Sequence, residues 1–159
     1  MANQAIGSRA GESARNLAMI NYGLLFASVF FAGLPALIAV IIAYSQRDEA
    51  PLELRSHHDF QIRIFWVGLA LTLLAAASVL GAAIGLVGEL FEASRGGGWT
   101  TLGDLRIEVA KLSFDGATVL MGGLAAIFSF LACLWLAAAP AVGFIRLASA
   151  QGMGHSARP

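Results

Sequence analysis

The chain has 159 residues, 58% of them hydrophobic and 13% charged, with ten Lys and Arg against ten Asp and Glu and a formal net charge of zero. The charged share is about half the roughly 25% of ordinary globular domains, and with a mean hydropathy of +0.75 the apolar surface is more than a soluble domain of this size can hide from water. Disorder, a disulfide scaffold and a nucleic-acid binder with a basic excess are excluded; an all-α integral membrane protein is expected, with the lipid bilayer as its first partner.

Residues 1–16 read as a polar, mobile N-tail. The first apolar run, Leu17 to Tyr44, holds 28 residues without a charge. As a straight helix it would reach about 42 Å, more than the ~30 Å hydrocarbon core. Gly33-Leu34-Pro35 interrupts it, because Pro35 has no N–H and its ring crowds the carbonyl of Phe31. One transmembrane helix kinked at Gly33–Pro35 is expected, a re-entrant hairpin being the alternative. The run is far longer than the roughly 7–15-residue apolar stretch of a cleaved signal peptide.

The second span is expected over 64–90. Ser56-His57-His58-Asp59 before it fits a capped helix start. Asp59 and Arg63 are four residues apart in the acid-first order that favours pairing. Arg63 can extend its charge to the headgroups while Phe65 and Trp66 settle at the interface. Asp48, Glu49 and Glu53 form an acidic group around Pro51, balanced by Arg47 and Arg55.

Residues 91–116 read as a connection between spans in which Leu102, Leu105, Val109 and Leu112 recur at helical spacing. A short amphipathic helix on the membrane surface is predicted there, with a short strand as the alternative. The third span is expected over 117–145, with Pro140 kinking or ending it and Arg146 at the water boundary. Residues 148–159 read as a mobile C-tail, so that 17–147 is one helical membrane domain. With three spans, Lys and Arg divide five against five between the two sides, and the positive-inside count leaves the orientation open.

The charge-free runs 17–44, 64–88 and 117–145 contain no ionisable residue that would mark a proton relay or pump, Glu89 and Glu92 lying at the end of the second span, where water is near. His57 and His58 point about 100° apart on a helix and His155 lies in the C-tail, so no metal site is expected, nor a cofactor site, nor a catalytic constellation. The single Cys133 reads as a small packing residue. Two groups stand out. Ala77, Gly81 and Gly85 repeat every four residues and allow close helix packing, with Gly122, Gly123 and Ala126 on the third span and Gly23 and Ala27 on the first as similar surfaces. His57, Gln61 and Arg63 are the candidate partner contact at the membrane edge. His57, Gln61 and Ile64 share a helix face there, and Asp59 and Arg63 lie on another.

Ile41-Ile42-Ala43-Tyr44, Leu54-Arg55-Ser56-His57, Phe60-Gln61-Ile62-Arg63 and Phe65-Trp66 resemble a recurring stretch, "IIAY … LRSH..FQIRTFW", of small bacterial membrane proteins of unknown function. Those proteins are distantly similar to the membrane subunit of the chloroplast inner-envelope protein translocon. The similarity covers roughly residues 17–70. Ile64 stands where that family often has Thr, and 91–116 is longer than its second connection. The resemblance implies a helical protein of three or four spans and supplies no activity. The expected function is that of a non-enzymatic scaffold, accessory or assembly partner in the bacterial inner membrane, associated with a larger membrane complex or with copies of itself. The alternative is an oligomeric channel or translocon-like component.

Overall fold

The computed structural model describes residues 2–96, 115–149 and 151–153. Within them the secondary structure is entirely helical: α1, Ala2–Ala27; α2, Leu34–Arg47; α3, Leu52–Gly96; and α4, Gly116–Ala148. The amphipathic segment expected at 102–112 and His155 lie outside the described residues. Two helices, Leu54–Glu92 within α3 and Gly116–Ala148, are long and apolar enough to cross a membrane, and their apolar windows are only 17% and 11% buried within the chain. Both are apolar on nearly every side, which is how a helix surrounded by lipid differs from a surface helix of a soluble protein.

The first apolar run is not one kinked helix. It forms two helices, α1 and α2, which pack against each other around a turn at residues 28–33. The reason is local. Ala32 and Gly33 take left-handed backbone angles, φ 51° and 81°, which no α-helix continues through. Gly33 adopts that angle at little cost. Pro35 then fits the first turn of α2, where its missing N–H is not needed. With 14 residues, α2 rises only about 21 Å. The backbone of the expected N-tail is helical from Ala2 onward as part of α1.

The chain divides into two parts, one made of Met1–Ala70 with Ala132–Pro159, the other of Leu71–Leu131. In the first part, α1 buries Ala18, Tyr22 and Leu25 and α2 buries Ala36, Ala39, Val40 and Ala43, spacings that place each set on one helical face. Ile64 and Phe65 of α3 and Ala139 and Leu147 of α4 complete this core. Gly68 admits Leu136 against its backbone: a Cβ there would lie 2.7 Å from Leu136 Cδ2. Pro140 neither ends α4 nor lies at its edge; the helix continues through it to Ala148, with Pro140 fully buried.

In the second part, the buried face of α3 carries Ala75 and Ser78, and that of α4 carries Thr118 and Ala125. Gly81 lies against Met121, and Gly85 lies so close to Thr118 that a Cβ would overlap its hydroxyl. Glu89 Oε1 accepts the Asp115 N–H, 2.6 Å away, at the start of α4. The expected stripe is therefore rotated. Gly81 and Gly85 belong to the packed face, but Ala77 is exposed, and the buried positions before them are Ala75 and Ser78. A strict four-residue repeat falls behind the 3.6-residue turn, so Ala77 drifts off the face that Gly85 occupies. Gly122, Gly123 and Ala126 are exposed, as is Gly23, and a Cβ at any of those three glycines would meet nothing within 4 Å. Cys133, expected in packing, is a free, exposed thiol.

A buried polar cluster at the start of α3

The first turns of α3 differ from what the sequence pattern suggested. The helix begins at Leu52, and Arg55 N–H already donates to Pro51 O at 2.9 Å. Ser56 is thus inside the helix rather than capping it. Its Oγ accepts the N–H of Met153 at 3.1 Å, so residues 151–153 of the expected mobile C-tail lie against α3. Asp59 pairs with Arg47 at the end of α2, Nε to Oδ1 2.6 Å, and not with Arg63 as expected. Arg55 approaches Asp48 at 3.9 Å, within the expected acidic group.

Five polar side chains gather between α1 and α3. Asn21, Tyr22, His57, His58 and Gln61 are each no more than 2% exposed. The hydrogen-bond directions follow from groups that can only accept. Gln61 Nε2 donates to Ala18 O at 3.0 Å, which fixes the carboxamide with Oε1 toward its neighbours. Oε1 then accepts from Asn21 Nδ2 at 2.8 Å and from His58 Nδ1 at 3.1 Å, so the His58 proton sits on Nδ1. His57 Nε2 faces Gln151 O at 2.9 Å and must carry its proton there. Nδ1 of the neutral ring is then an acceptor, and Tyr22 OH donates to it at 3.0 Å. The two rings meet edge to face at 6.0 Å. Asn21 Oδ1 is the one buried carboxamide oxygen of the cluster without a hydrogen bond.

Three contacts frame the cluster. The Tyr22 ring lies on Gly143 of α4, where a Cβ would overlap it. Arg15 Nη2 donates to Leu147 O and Ala148 O, each at 2.9 Å, satisfying carbonyls that the end of α4 leaves open. Trp135 Nε1 donates to Ile64 O at 3.2 Å. Trp66, expected as an interfacial anchor, is about half exposed and donates to Tyr44 OH at 3.1 Å.

Of the candidate contact residues, His57 and Gln61 are brought together on the buried face with Ile64, while Asp59 and Arg63 are exposed. Arg63 takes no part in the cluster. Both buried side chains are engaged within the chain, by α1 and the C-terminal segment. Sequence reasoning missed Asn21, Tyr22 and His58. A signal was present for Asn21, the single carboxamide in the uncharged run 17–44: an amide in an apolar helix needs a partner on another helix. Among the described residues, no three His, Cys, Asp or Glu side chains gather as metal ligands would. Tyr44, His57, Gln61 and Trp66 tie α1, α2 and α3 to each other. What these features define is a helical protein with two helices able to cross a membrane and a polar lock at the foot of one of them. Comparison with protein-family models, with curated proteins and with solved structures finds no match to this chain.

Proposed function

We propose that the protein is a non-enzymatic integral membrane protein of the bacterial inner membrane that works by contact, as a scaffold or assembly partner of a larger membrane complex. The observation that carries this reading is the division of its surface. The buried polar side chains are bonded almost entirely to one another and to backbone within the chain. The faces left outward are apolar: Leu73, Leu80, Ile84 and Val87 on α3, and Leu120, Ile127, Phe130 and Leu134 on α4. Such a surface serves lipid and other helices. The bacterial placement rests on the resemblance of residues 41–66.

The test is biochemical. The full chain is expected to resist alkaline carbonate extraction, to require detergent for release, and to run at a native mass above that of the monomer with a second membrane protein present in fixed ratio. Release by carbonate refutes the membrane reading. A homo-oligomer that conducts ions in liposomes refutes the scaffold reading in favour of a channel.

A further inference from the structure

We propose that residues 17–47 enter and leave the bilayer through the same face, as a re-entrant hairpin bedded in lipid acyl chains, and that this face is the cytoplasmic one. The inference rests on the membrane reading above and goes beyond it.

The two ends of the segment meet one short stretch of α3. Near the start, Asn21 and the Ala18 carbonyl bond Gln61, and Tyr22 bonds His57. Near the end, Arg47 pairs with Asp59 and Tyr44 with Trp66. From His57 to Trp66 the helix rises about 14 Å, whereas a crossing helix from Asn21 to Tyr44 would separate its ends by about 35 Å. The chain that leaves this level at Tyr22 has therefore returned to it by Tyr44. Each arm is short: Leu17 to Ala27 rises about 16 Å and α2 about 21 Å, roughly half to two thirds of the hydrocarbon thickness of ~30 Å.

The tip suits lipid. Phe30, Phe31 and Leu34 are 72%, 63% and 66% exposed, and no acidic or basic residue lies between Leu17 and Tyr44. Irregular backbone is excluded from lipid when its amides go unpaired. Here the N–H groups of Ser28, Val29, Phe30, Gly33, Leu34 and Ala36 all donate to carbonyls within the hairpin, Ser28 Oγ donates to Leu25 O at 2.5 Å, and Pro35 has no N–H. Most of the turn's amides, those of Phe31 and Ala32 apart, thus carry their own hydrogen bonds into the apolar phase.

The hairpin also resolves the charge count. With α3 and α4 each crossing once, α1, the 48–51 connection and the end of α4 share a face, and the end of α3 and the start of α4 lie on the other. Arg9, Arg15, Arg47, Arg55, Arg63, Arg146 and Arg158 then stand on the first side against Arg95, Arg106 and Lys111 on the second. Three crossings left a tie; two crossings leave a clear majority, and the basic side faces the cytoplasm.

Single cysteines at Ser8, Glu49, Gly98 and Ser149 in a Cys133→Ser background test both halves, with an impermeant maleimide applied to intact spheroplasts and to inverted vesicles. Only Gly98→Cys should label in spheroplasts, and the other three only in inverted vesicles. Ser8→Cys and Glu49→Cys labelling from opposite sides overturns the hairpin while leaving the membrane reading intact. Labelling of Ser8, Glu49 and Ser149 together from outside keeps the hairpin and overturns the orientation. Extraction of the protein by carbonate overturns the membrane reading itself. A spin label at Phe30→Cys in phosphatidylethanolamine–phosphatidylglycerol vesicles should be quenched by oxygen and shielded from a water-soluble nickel chelate. Quenching by the chelate overturns burial in lipid, and shielding from both quenchers overturns lipid in favour of a protein partner.

Discussion

Replacing Gln61 by Ala is the most direct perturbation of the polar cluster. The side chain makes three hydrogen bonds, to Asn21, His58 and Ala18, and is essentially inaccessible. Ala18 O loses little, because it lies within α1 and retains the helix bond. The Asn21 amide and the His58 N–H lose a partner that lies between them in a dry interface. At about 1–3 kcal/mol for each orphaned group, the loss is roughly 2–6 kcal/mol, reduced where water can enter the space vacated by the amide. The assay is thermal unfolding in mild detergent, with the midpoint expected to fall by more than about 4 °C at the lower end of that range. A cycle with Asn21→Ala isolates the pair. Residues bonded in one network should show a coupling of roughly 0.5–3 kcal/mol, so the double variant should be less damaged than the sum of the singles. An unchanged midpoint in Gln61→Ala, or strict additivity in the cycle, refutes the claim that this amide joins α1 to α3.

Three further outcomes follow from the packing. Gly143→Ala sets a methyl against the Tyr22 ring, which the His57 bond holds in place; a loss of about 1–3 kcal/mol is expected, measured by the same unfolding assay, and Tyr22→Ala should remove most of the difference between Gly and Ala at 143. On the rotated stripe, Gly85→Leu should lower detergent stability because Thr118 occupies the space, while Ala77→Leu, on the exposed face, should leave it unchanged; equal effects at the two positions would refute the assignment of faces. Ala32→Gly should stabilise the hairpin by about 0.5–1 kcal/mol, since φ 51° strains a residue with a Cβ and not glycine, and protease resistance of the detergent-solubilised protein should rise accordingly.

Much of the architecture was legible in the sequence because it depends on solvent. Charge-free runs long enough to cross hydrocarbon mark the regions of α3 and α4 whatever else the chain does, and Gly33 with Pro35 marks a break wherever it falls. The facing of His57, Gln61 and Ile64 to one side, and of Asp59 and Arg63 to the other, followed from helix geometry alone. Tertiary structure decided what the break does, turning a kinked helix into a hairpin, and it supplied the partners of the buried amides and imidazoles, some forty residues away for Asn21 and Gln61 and more than ninety for His57 and Gln151. It also moved Ser56 from a cap to an acceptor for Met153 and Asp59 from Arg63 to Arg47. The physical reason is that apolar periodicity encodes the boundary between protein and water. A helix that is apolar all round carries no such boundary along its length, so which side meets lipid and which meets a neighbour, as at Ala77 and Gly85, is set by side-chain shape and by the few polar groups that must find each other.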